Sequence, residues 1–175
     1  MIKVRQGKLS DIDALLELEY RIFPKQWHIP NDFPEKMMKK NQHVLRVVEE
    51  EGALKGHYYF LPLSHSIYEL VLHGELDEKE LAKYILPYPI EGEAYLYLMC
   101  IIVDTQSSSR HQYADALIDD MREHLSNLQK QGMNLKEFGG IFISKGGVKV
   151  ASALGMNKTG EITYSDGITY SIYRG

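Results

Sequence analysis

The feature that most restricts the fold is an apolar run that leads through a polar loop into a long helical pattern. Residues 94–103 read AYLYLMCIIV. This continuous apolar character predicts a strand covered on both faces at the centre of a sheet. Polar residues fill 104–109, and apolar residues then recur at helical spacing from about 110 to 131. A strand, a long helix and a further strand predict a right-handed crossover between parallel neighbours.

Segments on either side of this unit predict further strands and helices. Alternating or β-branched segments indicate strands at 2–6, 43–50, 53–63, 138–144, 161–164 and 168–173. Capped or amphipathic segments indicate helices from Ser10 to Pro24 and at 32–40, 66–73, 77–85 and 149–154. We therefore predict a three-layer α/β fold, with helices on both faces of a mixed, mostly antiparallel sheet.

The length and the composition limit the classes of protein to consider. A chain of 175 residues predicts one domain spanning 1–175, with a helical insertion at about 65–92 that would act as a lid or as a homodimer surface. A net charge of -4 lacks the basic surface that nucleic-acid binding requires. Neither an export signal nor an apolar stretch of about 18 residues occurs, so we expect no membrane partner and a cytoplasmic location.

The loop at 104–109 predicts an anion site. It joins a buried strand to a helix N-terminus, where free backbone N–H groups and the helix dipole favour an anion such as a pyrophosphate. Serines at 107–109 add hydroxyl donors, and Arg110 and His111 add side-chain donors. The alternative is an ordinary capped loop, because serine is a common helix cap.

Two motifs resemble those of one known family, the GNAT-type N-acetyltransferases. In that family the fourth strand ends in Val-Asp and leads into Arg/Gln-x-x-Gly-x-Gly/Ala, and this chain has Val103-Asp104 followed by SRHQYA at 109–114. The next strand–helix unit of the family ends in Leu-Gly-Phe, and this chain has Leu154-Gly155-Met156. The chain departs from the family pattern where Ser109 replaces Arg/Gln, Gln112 replaces the central glycine and Ala151 replaces a tyrosine.

The resemblance implies an acyl-CoA N-acyltransferase-like sheet that splays between its fourth and fifth strands, with acetyl-CoA as the acyl donor. The CoA diphosphate would lie on the loop amides and pantetheine along the fourth strand. The acceptor would be a primary amine of a small molecule or a peptide, attacking the thioester directly. The implied cofactor-binding residues are Ile101, Ile102, Val103, Ser108, Ser109, Arg110, His111, Gln112, Tyr113 and Ala114.

The resemblance also nominates catalytic residues. The family often places a glutamate on the fourth strand, which nominates Glu93 as the base, and Tyr97 lies near the position where some relatives carry an acid side chain. The family's usual acid, a tyrosine, is replaced by Ala151. A catalytically degenerate acyl-CoA-binding or interaction module on the same fold is therefore the alternative function.

The cysteine, the histidines and two aromatic residues near the first helix are not assigned catalytic roles. The only cysteine, Cys100, is predicted to be a small buried core residue. The histidines show no metal-binding spacing, so no metal is expected. The family's acceptor pocket often lies in the region that contains Trp27 and Phe33.

Overall fold

Seven strands form one sheet at the centre of the computed structural model, which describes all 175 residues. They are β1 (Ile2–Gln6), β2 (Leu45–Glu50), β3 (Ala53–Leu63), β4 (Glu93–Val103), β5 (Asn134–Phe142), β6 (Asn157–Thr163) and β7 (Thr169–Arg174). Their order across the sheet is β1-β2-β3-β4-β5-β7-β6. Only β4 and β5 pair in parallel, and the other five pairs are antiparallel. The predicted mixed sheet is confirmed, and so is the parallel pairing of the two strands that the long helix connects.

Helices cover both faces of the sheet and make three layers. They are α1 (Ile12–Ile22), α2 (Phe33–Lys40), α3 (His65–Leu72), α4 (Arg110–Lys130) and α5 (Lys145–Ala153). One core lies between the sheet and α1, α2 and α3, and a second core lies between the sheet and the pair α4 and α5. No helix is long and apolar enough to cross a membrane.

Several predicted boundaries near the C-terminus are corrected by the structure. β5 covers Asn134–Phe142 rather than 138–144, α5 begins at Lys145 rather than 149, and β6 begins at Asn157 rather than 161. Glycine has a low helix propensity, so Gly146 and Gly147 favoured a predicted helix start after them. The Ser144 side chain overrides that propensity, because its Oγ accepts a hydrogen bond from the Gly147 N–H at 3.0 Å and caps the helix.

The segment at 65–92, predicted to be a helical insertion, packs onto the sheet. It contains α3 and a 3-10 helix at Glu78–Lys83, where an α-helix at 77–85 was predicted. Asp77 caps the 3-10 helix by accepting from the Lys79 N–H at 2.9 Å. Tyr68 and Val71 of α3 are buried, because they pack into the first core.

The sheet opens between β4 and β5, which confirms the predicted splay. Their parallel pairing ends at Tyr97 and Gly139, so the rest of β4 has no partner on that side. Two residues further on, Met99 forms a β-bulge, since the neighbours Tyr59 and Phe60 pair with Cys100 and Leu98. The bulge re-aims the side chains of β4 where the two strands separate.

Candidate active site

The splay creates a mostly apolar cavity, called the cleft below, that enters the sheet between β4 and β5. Its volume is about 110 Å³. Residues 98–101 of β4 line one side, and residues 141–144 at the end of β5 line the other. Beyond Tyr97, alternate backbone N–H and C=O groups of β4 face the cleft without a strand partner. This unpaired edge can hydrogen-bond an extended, amide-containing ligand.

A second, wider cavity, called the side cavity below, adjoins the cleft. Its volume is about 470 Å³, and it lies between the 3-10 helices at Lys25–Trp27 and Glu78–Lys83 and the turn after β6. Both cavities are lined by Trp27, Ile29, Glu78 and Tyr164. Two ligands that enter by different routes would therefore meet beside these four residues.

Glu78 is the titratable group at this junction with the chemistry of a base. The pKa of its carboxyl is raised to about 7, with burial as the largest cause; the hydrogen bond from Tyr97 opposes the rise, and the charges of Asp77 and Glu19 add to it. The buried Tyr97 hydroxyl donates to Glu78 Oε1 and fixes the orientation of the carboxyl group. A carboxylate with a pKa near neutrality exchanges a proton readily at physiological pH.

A second carboxylate, Glu19 of α1, lies on the floor of the cleft. Its Oε1 accepts from the Tyr59 hydroxyl at 2.8 Å and lies 2.7 Å from Nε2 of the buried His57. The negative charge of Glu19 is one reason why the pKa of Glu78 is raised. Two carboxyl groups in different environments therefore line the cleft.

Cys100 departs from the interpretation as a plain core residue. It is half-buried and lines the cleft, because the splay removes the strand that would cover it. Its Sγ lies 3.9 Å from His57 Nε2, and the potential ligand atoms of Glu19, His57 and Cys100 lie within 4.8 Å of one another. Burial, together with the charges of Glu19 and Glu78, raises the pKa of the thiol well above its ordinary value. The sulfur is thus held as a weakly nucleophilic thiol.

The loop at 104–109 presents free amides at the start of α4. The backbone N–H groups of His111 and Gln112 make no hydrogen bond within the chain, and both residues are exposed. Asp104 shapes the turn by accepting from the Gln106 N–H at 3.2 Å and from Arg21 at 3.1 Å. The start of a 21-residue helix with open N–H groups is a suitable place for an anion.

The predicted cofactor-binding residues fall into three environments. Ile101, Ile102 and Val103 all pair with β3, and only Ile101 of these three lines the cleft. Exposed residues at the helix start are Ser108, Arg110, His111 and Gln112, with Ser109 and Ala114 half-buried. Tyr113 is buried, its hydroxyl donates to Glu50 at 2.5 Å, and its N–H donates to Ser109 O at 3.1 Å. Tyr113 therefore has no free group to offer a ligand.

The predicted catalytic residues lie in different places. Glu93 is exposed at the start of β4, pairs with Lys136 at 3.0 Å and lines neither cavity. Tyr97 is buried beneath the junction and contacts Glu78. Sequence reasoning did not nominate Glu78, Glu19 or Tyr164. The acidic residues that follow the Asp77 cap could have drawn attention to Glu78. No local sequence pattern, however, indicated that Glu78 lies at the cleft.

Comparisons with known proteins find similarity in structure alone. No family model matches the sequence, and no curated protein matches it. The loading GNATL domain of CurA from Lyngbya majuscula has a TM-score of 0.76 at 9% identity, over 99% of this chain and 96% of that chain. The GphF GNAT-like decarboxylase in complex with isobutyryl-CoA has a TM-score of 0.70 at 18% identity, over 98% of this chain and 97% of that chain.

A third similar structure is Naa50 from Arabidopsis thaliana, in complex with the bisubstrate analogue CoA-Ac-MVNAL. It has a TM-score of 0.64 at 12% identity, over 99% of this chain and 97% of that chain. At these identities the comparisons establish the fold. The chain therefore has the fold of the GNAT-type acyl-CoA N-acyltransferases, as the motifs at 103–114 and 154–156 implied.

Proposed function

We propose that the protein is an N-acetyltransferase that moves an acetyl group from acetyl-CoA to a primary amine. The observation that carries this proposal is the meeting of two cavities at Glu78. One cavity offers an unpaired strand edge, which suits pantetheine. The other reaches the same carboxylate from a different side and suits an acceptor. The solved GNAT-fold structures in complex with isobutyryl-CoA and with CoA-Ac-MVNAL support the choice of an acyl-CoA donor.

The donor would lie from the start of α4 into the cleft. The free N–H groups of His111 and Gln112 would bind the diphosphate, with Arg110 adding charge beside them. Pantetheine would follow the open edge of β4 past Ile101 and bring the thioester to the junction. Gln112 stands where the family has glycine, and its exposed side chain leaves the backbone amide accessible.

The acceptor would approach through the side cavity, with Glu78 as the general base. An alkyl ammonium has a pKa near 10, so it must lose a proton before its nitrogen can attack the thioester carbonyl carbon. The Glu78 carboxylate takes that proton. The N–C bond then forms, the C–S bond breaks, and the departing CoA thiolate takes up the proton that the nitrogen loses as it becomes an amide. Burial raises the pKa of Tyr164, which keeps its hydroxyl protonated and able to donate a hydrogen bond to the departing sulfur.

The competing function is an acyl-CoA-binding module without turnover. It is favoured by Ala151, which is fully buried where the family has its acidic tyrosine. Isothermal titration with acetyl-CoA, followed by thiol release with a panel of amines, separates the two functions. The proposal expects both binding and thiol release. Binding without release would favour the module, and the absence of binding would reject both.

Reversing the charge of Arg110 tests the position of the diphosphate. We expect Arg110→Glu to raise the Kd for acetyl-CoA by about fivefold to tenfold, because an exposed carboxylate would repel the phosphates at modest range. Lys130→Glu makes the same charge change at the other end of α4, about 30 Å away, and should leave the Kd unchanged. Equal effects of the two variants in isothermal titration would contradict this placement.

A further inference from the structure

The side cavity has a specific chemistry beyond being open to an acceptor. Its wall is built from Trp27 and Tyr164, whose ring centroids lie 5.3 Å apart in an edge-to-face arrangement. Carboxylates lie around those rings, and the innermost of them is Glu78 at the junction. Aromatic faces next to carboxylates form an environment that attracts organic cations, since both the ring quadrupole and the acids favour positive charge.

The negative charge of this cavity is not neutralised within the chain. Asp77, Glu78 and Asp166 line it, and Lys79 is the one cationic residue in the lining. No ion pair involves any of these four residues. The Lys79 ammonium instead donates to the Gln26 carbonyl at 3.4 Å. The cavity therefore keeps a surplus of negative charge next to its aromatic wall.

The two aspartates are held in place by neutral donors. Asp77 accepts from the Lys79 backbone N–H at 2.9 Å. Asp166 accepts from the Ile168 N–H at 2.8 Å and from the Tyr170 hydroxyl at 3.0 Å. Tyr170 in turn packs edge-to-face on Trp27, with centroids 5.5 Å apart. These contacts fix the carboxylates relative to the aromatic wall without cancelling their charge.

We propose that the acceptor of this cavity is a small diamine or polyamine, a molecule with a second ammonium group besides the amine that reacts. This inference rests on the proposed function and names its substrate class. The reacting amine loses its charge to Glu78, so with a monoamine Lys79 alone would oppose Asp77 and Asp166, and the lining would keep a net negative charge. A second ammonium offsets that remaining charge, and the alkyl chain between the two nitrogens lies against the rings of Trp27 and Tyr164. An amine that carries a carboxylate is repelled.

Direct binding of three matched probes tests this class without any need for turnover. Trp27 is the only tryptophan, so its fluorescence reports occupancy of the side cavity. We expect 1,4-diaminobutane to bind about fivefold more tightly than butylamine, and 4-aminobutanoate to bind more weakly than either. The ratio of the two affinities, diaminobutane over butylamine, should fall as the salt concentration rises from about 0.05 M to about 0.5 M. The aspartates are exposed, so salt screens their attraction for the second ammonium.

Conservative variants test whether the two aspartates cause the preference for the diamine. In Asp77→Asn/Asp166→Asn, the asparagines keep the size of the side chains and their backbone hydrogen bonds, so the fold should be retained. The affinity for diaminobutane should fall to that for butylamine, while the affinity for acetyl-CoA stays the same. Equal wild-type affinities for diaminobutane and butylamine, or tighter binding of 4-aminobutanoate, would overturn the inference. Failure of acetyl-CoA to bind, with the order of the probes preserved, would reject the proposed function and leave the cation site standing.

Discussion

Glu78→Gln is expected to lower kcat/KM for acetyl transfer by about 100-fold at neutral pH, the usual range for the loss of a general base. The amide keeps the shape of the side chain but cannot accept a proton. In the wild-type protein, kcat/KM should rise with pH through about 7, because the base must be deprotonated and the pKa of Glu78 is raised to about 7. The variant should lack that rise. Initial rates of thiol release between about pH 5.5 and about pH 8.5 measure both effects.

Two comparisons separate this role from a structural one. A carboxyl group whose pKa is raised on folding contributes stability below its ordinary pKa, and that contribution is lost as the pH rises through the folded value. The melting temperature of Glu78→Gln should therefore be higher than that of the wild type at pH 8, and this difference should disappear at acidic pH. Glu93→Gln removes the exposed glutamate of β4 and should keep kcat/KM within about twofold. A nearly active Glu78→Gln beside an impaired Glu93→Gln would reject the assignment of Glu78.

His111→Pro is expected to raise the Kd for acetyl-CoA by about 10-fold to 100-fold, the effect of losing one charge-assisted hydrogen bond to phosphate. The His111 N–H has no acceptor within the chain, so proline removes only the donor that a diphosphate would use. Proline is tolerated in the first helical turn for the same reason. Isothermal titration gives the change in Kd.

His111→Ala is the matched control, because it removes the imidazole and keeps the backbone amide. It should change the Kd by less than about threefold. Circular dichroism and the diaminobutane response of Trp27 show whether the proline variant retains its helices and its side cavity. Equal losses in the two variants would mean that the side chain, and not the amide, holds the phosphate.

Much of the fold follows from local patterns. The apolar run at 94–103 and the helical periodicity after it predicted the buried β4, the long α4 and the parallel crossover, because each depends on the burial of nearby residues. The helix boundary near 145 was wrong because a side-chain cap at Ser144 outweighs the low helix propensity of two glycines. The helix propensities of single residues do not include the contribution of such a capping hydrogen bond.

The site was less predictable, because long-range packing assembles it. The loop amides before α4 were predictable, since a strand, a polar loop and a helix are contiguous in the sequence. Glu78 reaches the junction only because Leu81 and Ala82 bury the 3-10 helix of the insertion in the first core. Cys100 lines the cleft because β5 leaves β4 after Gly139. Neither position has a local signature in the sequence.

A crystal structure with acetyl-CoA bound tests the central claim most directly. We expect the diphosphate on the N–H groups of His111 and Gln112, pantetheine along the open edge of β4, and the thioester within reach of Glu78. Coenzyme bound at another surface, with the space between β4 and β5 still vacant, would contradict the proposed function and the roles of the residues that depend on it.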